Sequence, residues 1–253
     1  MENPLGVYTD EYHSLQEIAQ KWKIGISNQY LTRQECTIFH RSFFLPSMRY
    51  HLTVGTFMQK QLSQLQHPII QTLLPRMEYN ANMPKAIIYG PISSGSMGFS
   101  PLHILKGTQK IKYVLQAYRS HSSLKNIFHI TFSWEQLVAG ISQPIFQATQ
   151  SRLPMLANEK WIQTLRQYLN QSRLQLHIPG IITCATQRMH DVILMEFAIQ
   201  QEIFSSEDIL QINRCRLYLR VQTLADIANA QGNMILSDMY FCMANRFHVE
   251  SGN

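Results

Sequence analysis

Apolar residues along this chain recur at spacings of three and four far more often than at two, which predicts helices. Leu15, Ile18, Ala19 and Trp22 form one stripe over residues 10–23. Thr32, with Glu35 three positions on, reads as a capping box. The helix it opens carries Cys36, Phe39 and Phe43 and should stop or bend near Leu45-Pro46. A third helix is expected over 56–74, with Leu62, Leu65, Ile69 and Leu73 inward. Pro68 should kink it, because the ring removes a donor and crowds the preceding turn.

Residues 75–100 interrupt the periodicity with a short apolar run, Ala86-Ile87-Ile88-Tyr89, and a Gly/Ser-rich loop near 90–100. Ser100-Pro101 then reads as an N-cap followed by proline at the first helical position. The helix it starts shows Ile104, Ile111, Leu115 and Tyr118 on one face, and another is expected over 123–141. A seam at 142–157 leads to Asn158, a plausible cap for a helix carrying Trp161, Leu165 and Tyr168. Leu174-Gln175-Leu176-His177-Ile178 alternates and is the best strand candidate, ended by Pro179-Gly180. Helices are expected over 187–200 and 206–220, then a short one opened by Thr223 with Asp226 and closed by Gly232. The expected fold is mostly α: a helical array with one or two short strands. Its parts are a region at 1–141, a second helical region at 158–232 and an irregular tail at 233–253.

Composition narrows the chemistry. The 253 residues are 45% hydrophobic and 15% charged, with net charge +6 and a pI near 9.2. That charged fraction is well under the ~25% usual for soluble domains, and Gln, Ser and Asn make up the difference. No run approaches the ~20 apolar residues of a membrane span, and the first dozen residues lack the apolar core of a signal peptide. An intracellular chain, cytoplasmic or nuclear, with no membrane partner is therefore expected. Cys36, Cys184, Cys215 and Cys242 lie far apart, which supports neither a disulfide framework nor a thiolate zinc site.

The catalytic patterns fail on inspection. Gly90 to Gly95 has the glycine spacing of a phosphate-binding P-loop, but Ser96-Met97 stands where Lys-Ser/Thr is needed, and Pro91 removes an amide. Ser122-Ser123-Leu124-Lys125 matches a Ser-x-x-Lys pattern without its companion motifs. The histidines are scattered, with no ligand spacing. The aspartates Asp10, Asp191, Asp208, Asp226 and Asp238 include no adjacent pair, so a two-metal nucleotidyl-transfer site is not advertised. No catalytic or metal-binding residue is assigned, and no cofactor.

Basic residues offer more. On the helix after Ser100, His103, Lys106 and Lys110 share a face opposite the apolar stripe, with Lys112 and Arg119 further round. Over 206–220, Asn213, Arg216 and Arg220 align, flanked by Arg214. Such stripes bind phosphate backbones without a sequence code, although most are simply solvated faces. Lys106, Lys110, Lys112, Arg214, Arg216 and Arg220 are the candidate nucleic-acid contacts.

Four blocks, in order, resemble the region after the palm in retrotransposon-encoded reverse transcriptases. Phe43-Phe44-Leu45-Pro46-Ser47-Met48-Arg49-Tyr50 is similar to that family's F-x-LPS-x-x-Y stretch. Leu73-Leu74-Pro75-Arg76-Met77, Asn80 and Met83-Pro84-Lys85-Ala86 follow, completed by Ile87-Ile88-Tyr89-Gly90-Pro91. Ile212-Asn213-Arg214-Cys215-Arg216-Leu217-Tyr218-Leu219 with Thr223-Leu224-Ala225-Asp226-Ile227 resembles INxCRLYLQVxTLADI. The likeness covers residues 30–232. It departs at Gly95-Ser96-Met97-Gly98, where the family has a Gly-Gly pair, and at Lys106-Gly107, where Glu-Gln-Gly is usual.

The resemblance implies a helical, thumb-like region that grips an RNA or DNA template–primer and works with a palm domain. The palm's Tyr-x-Asp-Asp, and the magnesium it holds, would lie before Met1, so the resemblance carries no catalytic residue into this chain. It also implies an exposed apolar patch near the first two helices, where the palm would sit. The alternatives are a helical protein-interaction module and an inactive retroelement fragment.

Overall fold

The structure is a computed structural model; it describes residues 9–120, 123–149, 160–231 and 235. The chain divides into two compact units. Met1–His121 with Asn158–Tyr168 form the first, and Ser122–Ala157 with Leu169–Asn253 form the second. The seam thus falls before the expected one: the 123–139 helix joins the second unit, and the start of the 160–171 helix joins the first.

In the first unit, α1 (Thr9–Ser27) buries Leu15, Ala19 and Ile26, as its stripe requires. α2 (Arg33–Ile38) opens on the expected capping box, in which Thr32 and Glu35 each accept from the other's backbone N–H. The chain does not stop at Leu45-Pro46. It passes through a π-helical segment, Phe39–Phe44, and continues as α3 (Leu45–Val54). The Leu45 N–H reaches five residues back to the His40 carbonyl. Proline is tolerated because Pro46 sits where the register changes, in the first turn of α3. The π turn is packed on aromatics: Trp22 meets Phe39 edge-on at 5.2 Å, and buried His40 stacks on Phe99 at 4.3 Å.

α4 (Gln59–Arg76) runs through Pro68 and Pro75 and packs against α1 and the helix at Leu102–Arg119, burying Leu62, Leu65, Ile69, Ile70, Leu73 and Leu74. The apolar run at 86–89 is a short helix, α5 (Lys85–Tyr89), followed by a 3-10 turn at Ile92–Ser94. α6 (Leu102–Arg119) does not use Ser100 as its cap. Its first amide, at Leu102, donates to Oε1 of Gln66 on α4 at 3.0 Å, and Gln66 Nε2 donates to the Ser100 carbonyl. A buried carboxamide from a distant helix therefore caps α6.

The second unit begins with α7 (Ser123–Ala139). Then come α8 (Lys160–Gln171), whose residues up to Tyr168 belong to the first unit, α9 (Leu194–Gln200) and α10 (Ser206–Leu219). The proposed cap Asn158, the closing Gly232 and the tail at 236–253 lie outside the described residues.

Two expectations fail here. Residues 174–178 form no strand; among the described residues the only bridges are the isolated pairs Ile193–Thr223 and Ala228–Ile235. The 187–200 helix starts only at Leu194, because His190 takes a left-handed φ of 61° and Asp191 accepts from the amides of Gln187, Val192 and Ala225. A carboxylate gathering amides from both sides organises a loop in place of a helical turn.

Candidate nucleic-acid interface

The basic face expected on α6 is turned inward. Lys106, Gly107, Lys110, Val114 and Ala117 are buried, whereas Ile104 and Leu115 of the expected apolar stripe are exposed. Lys106 and Lys110 are thus withdrawn from the surface on which phosphate contacts were expected, and the reason lies in their acceptors. Lys106 Nζ donates to the Phe57 carbonyl at 2.6 Å. Lys110 Nζ donates to the Thr164 hydroxyl at 2.6 Å and the Trp161 carbonyl at 3.3 Å, and lies 4.6 Å from the centre of the Trp161 ring.

Burial pushes Lys106 down to about 8, and Lys110 down to about 6 with help from the Lys106 charge. The Trp161 ring face opposes that shift by favouring the cation. Both lysines work as internal staples. Gly107 between them is also required: a Cβ there would stand 2.1 Å from the Tyr168 ring.

Arg216 of α10 is buried as well. Its guanidinium donates to the carbonyls of Leu137 and Val138 at the end of α7 (2.7 and 2.8 Å) and to Asn213 Oδ1. The C-terminal end of a helix exposes unpaired carbonyls and carries partial negative charge, so Arg216 caps α7 from outside. The last position of that cap is Gly140, with φ of 61°; a Cβ there would meet the guanidinium carbon at 2.7 Å. Of the six candidates, Lys112, Arg214 and Arg220 remain exposed. Lys112 belongs to the first unit; Arg214 and Arg220 belong to the second.

The structure places around Lys112 what the sequence reading missed. Pro46, Arg49, Tyr50 and Thr53 on α3 face Gln109, Lys112, Tyr113 and Gln116 on α6 across a groove of about 450 Å³ that Val54 completes. Each helix contributes positions i, i+3, i+4 and i+7, and each places a cation beside a tyrosine: Arg49-Tyr50 and Lys112-Tyr113. Among the described residues no carboxylate lines the groove. Tyr50 is 75% exposed and Tyr113 39%, which leaves ring surface open to a ligand.

The buried staples hold these walls. The Trp161 indole N–H donates to the Thr53 carbonyl at 2.8 Å, so Trp161 joins α3 to the Lys110 site on α6. The repeated cation–tyrosine dipeptide was the available signal in the sequence, and Arg49-Tyr50 lies within the first block of the family resemblance.

Among the described residues no three His, Cys, Asp or Glu side chains gather to hold a metal, and no helix is long and apolar enough to cross a membrane. Comparisons with protein-family models, with curated proteins and with solved structures find no match for this chain.

Proposed function

We propose that this chain is the non-catalytic C-terminal, thumb-like part of a retrotransposon reverse transcriptase, and that it contacts template–primer nucleic acid through the α3–α6 groove. The observation that carries this reading is the pairing of Arg49-Tyr50 with Lys112-Tyr113 on two facing helices, with no carboxylate among the described residues of the groove. Cations of this kind neutralise phosphates, and open tyrosine rings stack on bases or sugars. A palm domain is the second partner in this reading. Ile24, Ile38 and Phe43, exposed on α1, α2 and the π segment, supply apolar surface for it.

The test is binding of the purified chain to a short RNA–DNA duplex across a salt series. Replacing Arg49 and Lys112 by Ala together should lower the slope of log K against log salt by about 1.8, at ~0.9 per phosphate contact. An unchanged slope rejects the groove.

A second reading, a protein-interaction module, is favoured by α7. Ile127, Ile130, Trp134 and Leu137 are exposed at spacings of three and four along it. Under that reading Trp134→Glu abolishes self-association or partner capture while leaving the salt slope intact.

A further inference from the structure

A second cleft in the first unit carries positive charge that the α3–α6 groove does not use. Lys60, His67 and Gln64 of α4, Lys85 and Tyr89 of α5, and His103 of α6 line a cavity of about 440 Å³. Among the described residues its lining holds two lysines and two histidines and no carboxylate. The one ion pair among the described residues, Arg33–Glu78, lies elsewhere, so none of the described carboxylates pairs with Lys60 or Lys85. A concave wall of one sign focuses potential and concentrates counter-ions of the other.

Two walls of the cleft are tied together. Buried Gln66, in its wall, ties α4 to the start of α6 through the Ser100 carbonyl and the Leu102 amide. Because Gln66 already occupies that amide, recognition in the cleft rests on side chains: ammonium groups from Lys60 and Lys85, imidazoles from His67 and His103, and the hydroxyl of Ser63. This donor set suits tetrahedral oxyanions, whose several acceptor oxygens can take up donors from more than one of the three lining helices.

We infer that the cleft walled by Lys60, His67, Lys85 and His103 is a phosphate-binding site, separate from the α3–α6 groove. The phosphate comes either free, as in a nucleotide or inorganic phosphate, or as a phosphodiester of a bound strand. The inference does not depend on the α3–α6 groove, whose residues are different.

The experiment uses the full chain, its Lys60→Ala/Lys85→Ala variant and the Arg49→Ala/Lys112→Ala variant. Each is titrated with inorganic phosphate, with a nucleoside triphosphate and with a single-stranded oligonucleotide. Both lysines are exposed, so the variant should keep its circular dichroism and melting temperature. The expected result is at least tenfold weaker binding of one or more of these ligands by Lys60→Ala/Lys85→Ala. For free phosphate or the triphosphate, Arg49→Ala/Lys112→Ala should match the wild type. If the loss is confined to the oligonucleotide, the source is a strand phosphodiester; if phosphate or the triphosphate is also lost, the source is a free phosphate. Equal binding of all three ligands by the wild type and Lys60→Ala/Lys85→Ala, or no binding by either, overturns the site.

Discussion

Lys110 in the first unit and Arg216 in the second face the same physical problem and solve it differently. Each lies on a helix that also carries exposed cations, and each turns inward to carbonyl oxygens. Lys110 presents a compact ammonium that burial drives toward the neutral amine, down to about 6. Burial also lowers Arg216, but a guanidinium stays protonated in proteins and must keep its charge inside. Its planar fork spans two carbonyls of α7 and Asn213 together, a geometry that one ammonium cannot copy. The buried lysine is therefore replaceable by an apolar side chain of similar length, whereas the buried arginine is not.

The largest expected effect follows from removing the fork. Arg216→Ala leaves two helix-end carbonyls and the Asn213 carboxamide unsatisfied, and should cost about 3 kcal/mol or more in urea unfolding of the second unit. Arg216→Lys should recover less than half of that. Next comes Gly140→Ala, which forces a Cβ into the left-handed region and against the guanidinium, at about 1–2 kcal/mol. Equal stability of Arg216→Lys and wild type would erase the contrast.

Lys110→Met sits lower on the scale, within about 1.5 kcal/mol of wild type at neutral pH. Its distinguishing mark is pH dependence. The unfolded lysine holds its proton up to about pH 10.4, while the folded one releases it near 6. Stability should thus rise with pH between those values, with Lys106 adding to the rise above about 8. Lys110→Met should flatten that rise, and an unaltered profile would mean that Lys110 stays charged when folded.

A separate effect, confined to acid pH, belongs to His40. Buried, and with neither ring nitrogen hydrogen-bonded, it is held down to about 4 by burial and by the Arg41 charge. The unfolded imidazole takes up a proton below about 6.5 while the folded one does not, so stability falls as pH drops from 6.5 to 4. Replacing His40 by Leu should remove that part of the acid sensitivity, read as melting temperature against pH.

Local signals were legible in the sequence and distant ones were not. Leu15, Ala19 and the Thr32–Glu35 box placed α1 and α2 because the information lies within one or two turns. Thr223 with Asp226 likewise marked a turn, though it forms only a 3-10 helix at Leu224–Asp226. α6 was read with its faces reversed. Ile104 and Leu115 carry the hydrophobic signal, while the acceptors that draw Lys106 and Lys110 inside, at Phe57, Trp161 and Thr164, lie about 50 residues away. The cap of α6 by Gln66 is hidden for the same reason. Leu176 and Ile178 are buried in alternation, so the period was real, but an alternating segment without a neighbour to pair with makes no sheet. Of the six basic candidates, only Lys112 falls in the groove; Arg49, Tyr50 and Tyr113 escaped because a groove between two helices is invisible to a search along one.

The most direct measurement is the salt dependence of RNA–DNA duplex binding by three forms of the chain: wild type, Arg49→Ala/Lys112→Ala and Lys106→Met/Lys110→Met. The account predicts that the slope falls by about 1.8 in the groove variant and stays unchanged in the buried-lysine variant. A slope that falls in the buried-lysine variant and holds in the groove variant would contradict it.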